Sequence, residues 1–257
     1  MKKRISVLTG VLAGVLAGAV ALTAGTAQAI VGGSRASTKD LPHLLMLLDA
    51  RGQQYCAAAL IAPDAAVTAA HCLLKKDVST LTVVAGRDDK RSTAGSIAKI
   101  ASAAVHPDFT GTTGGHDVAV LHLAAPLTGY RTVPLARRGS APAPGAGATV
   151  AGWGDTDPGD QGTRYLMKAT VPVVAPKTCA TWYPSFREGL MTCAGYEQGG
   201  ADTCKGDSGA PLVVQGALVG LASWGEGCGQ ARRPGVYTSL GHPAVHDFVT
   251  RQVPGSR

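Results

Sequence analysis

Short runs of apolar and β-branched residues, separated by turn-forming residues, are the feature that most constrains the fold of this chain. The 257 residues include 34 Gly and 15 Pro, which favour many turns over long helices. Strands at this spacing, without helical patterns between them, indicate an all-β protein built from antiparallel barrels or sandwiches. The predicted strands are residues 44–48, 65–69, 81–85, 118–123, 149–153, 166–174, 211–214, 218–224 and 235–239.

One segment near the C-terminus has a convincing helical pattern, over about residues 243–253. Pro243 suits the first turn of a helix, and Val245, Phe248 and Val249 recur on one face. We therefore expect a single C-terminal helix in an otherwise all-β chain.

A segment rich in Pro, Gly and Ala, residues 137–147, is the best linker candidate. It divides the chain into units of similar size, a first over about residues 30–136 and a second over about residues 147–240. No internal repeat is visible.

The first 29 residues are typical of an export leader. A basic start at residues 2–4 precedes an apolar stretch, and Ala-Gln-Ala at residues 27–29 is a cleavage motif. An uncleaved membrane anchor is the alternative, because the stretch is nearly long enough to span a bilayer. Since no charged stop-transfer cluster follows, we expect a signal peptide over residues 1–29. The mature protein, residues 30–257, is then secreted and extracellular, without a membrane attachment.

The composition excludes several classes of protein. With 45% hydrophobic and 16% charged residues, the chain is neither disordered nor a coiled coil. The formal net charge is +7, but three basic residues lie in the leader and the others are scattered. A nucleic-acid partner is not expected, because such proteins gather their positive charge in a patch or stripe.

Six cysteines fit the oxidising compartment that the leader predicts. No C-x-x-C pair occurs, which argues against a zinc ribbon or a thioredoxin-like site. An even number indicates disulfides, although the residues alone leave many pairings open. The cysteines are Cys56, Cys72, Cys179, Cys193, Cys204 and Cys228.

A serine between glycines is the first candidate for catalytic chemistry. In Gly206-Asp207-Ser208-Gly209 the glycines let the backbone approach a substrate carbonyl closely. A Ser hydroxyl is a poor nucleophile without a base, and an isolated motif of this kind is often an ordinary turn. An α/β-hydrolase is disfavoured, because no βαβ pattern surrounds Ser208 and the histidine candidates precede it.

Two other segments offer partners for this serine. His71 lies in Thr-Ala-Ala-His-Cys, where small residues bring the backbone close, and Cys72 can fasten the loop. Asp117 begins the best predicted strand, where a buried carboxylate can orient an imidazole and stabilise its charged form. Taken singly, His71 would be a structural histidine and Asp117 a turn residue.

Together these segments carry a family resemblance. The order His71, Asp117, Ser208, with Ile-Val-Gly-Gly at residues 30–33 and Ser-Trp-Gly at residues 223–225, resembles the chymotrypsin-fold serine proteases. The trypsin-like subgroup is the most similar, over about residues 30–252. The resemblance implies two antiparallel six-stranded β-barrels with the active site between them.

The resemblance also implies the roles of the catalytic residues. Ser208 is the nucleophile, His71 is the general base and then the general acid, and Asp117 orients His71. The N–H groups of Gly206 and Ser208 form the oxyanion hole. The implied disulfides are Cys56–Cys72 beside the base, Cys179–Cys193, and Cys204–Cys228 across the specificity pocket.

Substrate specificity is implied by Asp202, which matches the carboxylate at the floor of the family's pocket. Such a group binds Arg or Lys side chains, whereas a chymotrypsin- or elastase-type preference is opposed by it. Gly225 and Gly235 match the small residues of the pocket wall, and Ser223 and Trp224 match the strand that pairs with the substrate backbone. The implied function is a serine endopeptidase that cleaves after Arg or Lys through an acyl-enzyme.

Two residues of the pocket region depart from the family pattern. Thr203 stands where Ser is frequent, which leaves the ratio of Arg to Lys cleavage open. Ala210 stands where Gly is usual, and a positive φ there would cost about 1–2 kcal/mol. The family's calcium loop is not recognisable around Asp88 and Asp89, so we expect no metal and no cofactor.

Activation is implied to depend on the N-terminus. In the family a new α-ammonium inserts beside the Asp that precedes the nucleophile, and here these groups belong to Ile30 and Asp207. Ala29 is not the basic residue at which family precursors are commonly cut. We therefore expect export cleavage to expose Ile30 directly; the alternative is an earlier cut followed by trimming.

The expected partners are protein or peptide substrates that contain Arg or Lys. Protein protease inhibitors are further candidates, and a monomer is expected. A non-catalytic homologue that acts as a binding protein is the alternative function. Such homologues typically lose a triad residue, whereas this chain keeps all three. The Ala-, Gly- and Arg-rich composition favours a bacterial source.

Overall fold

A computed structural model describes residues 30–155 and 162–253, so the predicted leader lies outside the described residues. Within these ranges the chain is mostly β-strand, with two α-helices where the sequence pattern predicted a single one. The strands are β1 (Ser34–Arg35), β2 (Leu44–Leu48), β3 (Gln54–Ala62), β4 (Ala65–Thr68), β5 (Thr82–Ala85), β6 (Ser96–Val105), β7 (Ala119–Leu123), β8 (Gly147–Gly152), β9 (Met167–Val174), β10 (Met191–Ala194), β11 (Pro211–Val214), β12 (Ala217–Trp224) and β13 (Gly235–Ser239). The helices are α1 (Pro176–Trp182) and α2 (Pro243–Gln252).

The first barrel closes in the order β2-β3-β4-β7-β6-β5, with antiparallel neighbours throughout. In β2 every residue is apolar and buried. Successive side chains of a strand point to opposite faces, so Leu45 and Leu47 fill the barrel interior. Leu44, Met46 and Leu48 instead pack into the core that the second barrel supplies. The strand is apolar on both faces because it contributes to both cores.

The second barrel is also antiparallel and closes in the order β8-β9-β10-β13-β12-β11, with β8 pairing β9. The prediction of two six-stranded barrels is therefore confirmed. Strand β1 adds to the outside of this barrel, where Ser34 lies opposite Lys168 and Arg35 opposite Met167. The first described strand thus pairs with the second barrel, and the strands of the first barrel follow it in the chain.

The C-terminal helix α2 follows the last strand of the second barrel and packs on the first barrel. Its buried residues Val245, Phe248 and Val249 share a core with Val67 and Val120 of the first barrel. This confirms the predicted apolar face and gives it a partner surface. The two ends of the described chain therefore fasten the barrels to each other, which fixes the crevice between them.

All six cysteines lie in described residues and form three disulfides, Cys56–Cys72, Cys179–Cys193 and Cys204–Cys228. These are the pairings that the family resemblance implies. None of the helices in the described ranges is long and apolar enough to cross a membrane.

Candidate active site

His71 and Asp117 meet because β4 and β7 are antiparallel neighbours, with Thr68 opposite Ala119. His71 lies in a 3-10 turn directly after β4, and Asp117 lies just before β7. Nδ1 of His71 lies 2.7 Å from Oδ2 of Asp117, and the backbone N–H of His71 donates to Oδ1 at 2.9 Å. This two-point contact fixes the imidazole and, when Nδ1 carries the proton, leaves Nε2 able to accept one.

Asp117 is a fully buried carboxylate that the second barrel also holds. The Ser223 hydroxyl in β12 donates to Oδ2 at 2.6 Å, and Thr238 Oγ1 in β13 donates to the Asp117 carbonyl at 3.0 Å. Hydrogen bonds to a buried charge offset the cost of removing it from water. The family resemblance implied only substrate binding for Ser223, and no local pattern indicates this contact, which joins residues 106 positions apart.

Ser208 lies in a loop that the second barrel presses against the first. Its carbonyl accepts the N–H of Ala57 in β3 at 2.8 Å. Gly209 has φ +77°, and a Cβ there would contact Thr68 Oγ1 and the Ala57 carbonyl, so only glycine fits this approach. The glycine beside Ser208 is thus required by the packing between the barrels.

The Cys56–Cys72 disulfide lies between His71 and the Ser208 loop. Sγ of Cys72 is 4.0 Å from Nε2 of His71 and 3.7 Å from the Ser208 carbonyl. Among the described residues no hydrogen bond joins the Ser208 hydroxyl to His71. Such catalytic hydrogen bonds are often long before substrate binds, so this arrangement is compatible with the predicted triad.

A cavity of about 230 Å³ opens beside Ser208. Residues of the segment before Ser208 and residues of β12 line it. The predicted site residues among them are Asp202, Thr203, Ser208, Ser223, Trp224, Gly225 and Gly235. A side chain that enters this cavity therefore reaches Asp202 from a position beside Ser208.

The trypsin family model matches residues 30–245, which include both barrels and every residue of the site. The chain belongs to the trypsin family. It is therefore a serine protease, as its relatives also indicate. A trypsin of Saccharopolyspora erythraea is 42% identical over 225 residues, which cover 87% of this chain and 98% of the relative.

More distant trypsins agree with this assignment. Those of Simulium vittatum and Sus scrofa are 37% and 35% identical, each over 219 residues. These alignments cover 81% and 82% of this chain, and 87% and 90% of the two relatives. The likeness to trypsins thus extends along nearly the whole of the described chain.

In this trypsin-family protease, Asp202 is almost completely buried in the cavity wall. Its carboxylate accepts the N–H groups of Thr203 at 2.8 Å and Gly229 at 3.0 Å. Burial raises the pKa of Asp202 to about 7. Within residues 30–155 and 162–253, no Lys or Arg forms an ion pair with it. The cavity of this protease therefore holds a carboxylate that lacks a positive partner.

The two predicted wall glycines of the protease differ in what surrounds them. A Cβ added to Gly235 would lie 2.9 Å from Oδ1 of Asp202 and 3.1 Å from Oγ1 of Thr203. A Cβ added to Gly225 would lie 3.9 Å from the carbonyl oxygens of Gly227 and Pro234, which is ordinary van der Waals contact. Gly235 therefore makes room for Asp202, whereas a Cβ at Gly225 would displace none of its neighbours.

The two departures from the family pattern are both accommodated. Ala210 does not have a positive φ, so the backbone cost considered for it does not arise. It is fully buried, and its N–H donates to the Asp207 carbonyl at 2.9 Å. Oγ1 of Thr203 lies 3.2 Å from the hydroxyl of Tyr237, and Thr203 lines the cavity.

The predicted oxyanion donors lie in the loop that ends at Ser208. In the described part of the chain, the N–H groups of Gly206 and Ser208 have no hydrogen-bond acceptor. The Gly206 carbonyl accepts a hydrogen bond from Nε2 of Gln54 at 2.7 Å, so a side chain of the first barrel fixes the orientation of this peptide group. Gln54 was missed by sequence reasoning, since nothing in its local pattern indicates a partner 152 positions away.

Ile30 and Asp207 are both fully buried, but they are not joined in the described residues. The Asp207 carboxylate accepts the N–H groups of Gly154 at 2.8 Å and Cys204 at 3.0 Å. Burial raises the pKa of Asp207 to about 6. The Ile30 backbone has φ +56°, which is unfavourable for a β-branched residue. The predicted pairing of Ile30 with Asp207 is thus not present among the described residues.

Proposed function

We propose that this serine protease is a secreted endopeptidase that cleaves peptide bonds after Arg or Lys through an acyl-enzyme. The observation that carries the proposal is the buried carboxylate of Asp202, which has no ion-pair partner among the described residues and lies in the cavity beside Ser208. A guanidinium or ammonium group that enters the cavity supplies the missing positive charge. Such a pair is strong where water is excluded, because the local dielectric constant is low.

The catalytic roles in the proposal are those that the family resemblance implies, and the contact between His71 and Asp117 supports them. The Ser208 hydroxyl attacks the substrate carbonyl carbon while Nε2 of His71 takes its proton. Asp117 stabilises the imidazolium, and the N–H groups of Gly206 and Ser208 stabilise the oxyanion. His71 then gives the proton to the leaving amine. Water hydrolyses the resulting ester by the same route, which restores Ser208 and releases the acid.

Binding of the substrate backbone completes the proposed site. One side of the cavity is lined by Ser223, Trp224 and Gly225. In this proposal their backbone pairs with the extended substrate peptide, as the edge strand of a sheet does. Protein inhibitors that present Arg or Lys to the same cavity, a monomeric state and a bacterial source belong to this proposal as well.

Activation in this proposal requires cleavage between Ala29 and Ile30. The new α-ammonium of Ile30 moves to Asp207, whose buried carboxylate has a raised pKa although the positive charge of Lys90 acts to lower it. Cleavage also removes the peptide bond that defines the unfavourable φ of Ile30. Because residues 27–29 form the export cleavage motif, export and activation are one step.

The specificity of this proposal is tested by Asp202→Ser. We expect kcat/KM for an Arg substrate to fall about 10²–10⁴-fold, as when one partner of a buried ion pair is removed. Asp89→Ser is the matched control, since this carboxylate is bound to Arg164 away from the cavity. Cleavage after Arg at nearly the parental rate in Asp202→Ser would show that Asp202 does not bind the substrate.

The activation step is tested by sequencing the N-terminus of the active, exported protein. We expect the sequence to begin Ile-Val-Gly-Gly. Full activity in a form that begins upstream of Ile30 would contradict both the direct maturation and the Asp207 pairing. An inactive upstream form that a second protease converts would retain the pairing and reject only the single step.

A further inference from the structure

A cluster of three metal-binding side chains lies outside the proposed catalytic centre. His106 and Asp108 lie in the turn after β6, and His116 directly precedes Asp117. One ligand atom from each of the three lies within 4.8 Å of the others. The two imidazole rings stack, with their centroids 4.6 Å apart. None of the three lines the cavity beside Ser208.

His106 is held in an orientation suited to binding a metal ion. It is buried, its ring packs on Phe248, and its Nε2 lies 3.4 Å from the Ala244 carbonyl of α2. Metal-binding histidines commonly donate their second ring nitrogen to a backbone carbonyl in this way. Nδ1 is then the available ligand atom. It accepts the N–H of Asp108 at 3.2 Å, a long contact that a metal ion would replace.

His116 is held over His106 by an unusual backbone conformation. Its φ is +55°, and this follows a glycine, Gly115, with φ +85°. A non-glycine residue in this region is strained, and such residues concentrate at functional sites. Among the described residues, its ring nitrogens form no hydrogen bond, and the Asp108 carboxylate has neither a hydrogen bond nor an ion pair.

We propose that His106, Asp108 and His116 bind one divalent transition-metal ion of the zinc class. Two imidazole nitrogens and a carboxylate oxygen are a usual donor set for zinc, and water completes the coordination. At tetrahedral zinc, neighbouring ligand atoms lie about 3.4 Å apart. The exposed Asp108 and the half-buried His116 must therefore move inward on binding, by on the order of 1 Å.

The charges around the cluster also bear on the proposal. Burial lowers the pKa of both His106 and His116, which favours the neutral rings that can bind a metal ion. Arg187 and Arg251 contribute positive charge in the same direction, and this charge also opposes a bound cation. The Asp108 carboxylate offsets part of that repulsion.

This site is distinct from the family's calcium loop, which is not recognisable around Asp88 and Asp89. Calcium takes oxygen ligands. The Asp88 carboxylate already accepts a hydrogen bond from Thr38, and the Asp89 carboxylate forms an ion pair with Arg164. We therefore expect the cluster to select zinc over calcium.

Zinc binding is tested by calorimetric titration of the full mature chain carrying Ser208→Ala, which prevents self-digestion. We expect one zinc ion per chain and no heat from calcium. His116→Gln and Asp108→Asn should each weaken zinc binding at least about tenfold, the loss expected when a donor is removed. Both residues are at least partly exposed, so these variants should fold, which a melting curve checks.

Two control variants locate the bound ion. His122→Gln removes a half-buried histidine of β7 outside the cluster and should leave zinc binding unchanged. His71→Gln should also leave it unchanged, which separates this site from the proposed catalytic centre. The proposal is overturned if no zinc binds at about 100 μM, if the cluster variants bind as the controls do, or if only His71→Gln abolishes binding.

Discussion

The two barrels contribute different halves of the candidate site, and these halves differ in how complete they are. On the first barrel, His71 and Asp117 are joined by two short contacts, and the Asp117 carboxylate accepts a further hydrogen bond from Ser223. On the second barrel, Asp202 and Asp207 are buried with pKa values raised to about 7 and about 6. Neither forms an ion pair within the described residues.

This difference indicates what each half needs. The first-barrel half is organised by the chain's own hydrogen bonds before any ligand arrives. We propose that the second-barrel half is completed by two positive charges that come from elsewhere. In our proposal these are the substrate's cationic side chain at Asp202 and the new α-ammonium of Ile30 at Asp207.

The largest expected effect separates chemistry from this organisation. Ser208→Ala removes the proposed nucleophile and leaves both halves in place. We expect kcat to fall by at least about 10⁴-fold, with a melting temperature close to that of the parent. Steady-state kinetics on an Arg ester and a calorimetric melt measure the two quantities.

The same variant decides between the enzyme and the non-catalytic homologue. Adding His71→Ala to Ser208→Ala should cause little further loss, because residues that act as one unit are strongly non-additive. Turnover by Ser208→Ala near the parental rate would reject the triad. A parent that neither turns over substrate nor reacts with a serine-directed inhibitor would favour the binding-protein alternative.

A smaller effect tests whether the first-barrel half is independent of the second. Ser223→Ala removes the hydroxyl that crosses from β12 to Asp117 at 2.6 Å. A hydrogen bond to a charged group contributes about 1.5–3 kcal/mol, so we expect kcat to fall about ten- to a hundredfold. KM should change little, since the cavity keeps its shape.

Ser79→Ala is the matched control for this prediction, because its hydroxyl donates to an exposed carboxylate, Asp77, at 2.7 Å. An unchanged kcat in Ser223→Ala would mean that the two contacts of His71, together with the Thr238 hydrogen bond to the Asp117 carbonyl, are enough to hold Asp117. In that case the first-barrel half does not depend on the Ser223 hydroxyl.

Local sequence patterns predicted most of the strands, including β4, and missed β1, β3, β6 and β10. Leu44–Leu48, Pro211–Val214 and Gly235–Ser239 lie where predicted. Strands β3 and β6 were missed because alanine is depleted in strands and weakens their local pattern. Barrel closure buries these alanines, and this tertiary constraint overrides their local preference.

For the site, the sequence identified residues that lie in motifs but not the contacts between distant motifs. His71, Asp117, Ser208 and Asp202 were predicted from the family resemblance that their motifs carry. The Gln54 contact with Gly206 and the approach of His106 to His116 depend on how loops converge after the barrels form. A single sequence does not contain that information in any local pattern.

The smallest expected effect is a pH dependence of stability that arises from the second-barrel half. The unfolded chain releases the proton of Asp202 near pH 4, whereas the folded chain retains it until about pH 7. The folded state therefore binds more protons between these values. As a result, the Asp202 contribution to the free energy of unfolding decreases as pH rises from about 4 to about 7.

Other groups titrate in the same range, so the test is a difference between two proteins. Burial lowers the pKa of His43 to about 4, which makes stability rise with pH over the same interval. Urea unfolding of the Ser208→Ala protein, with and without Asp202→Asn, isolates the Asp202 contribution at each pH. We expect the stability advantage of Asp202→Asn to grow from pH 4.5 to pH 7.5. A constant difference would mean that the folded chain already compensates the Asp202 carboxylate, and the contrast between the two halves would then rest on Asp207 alone.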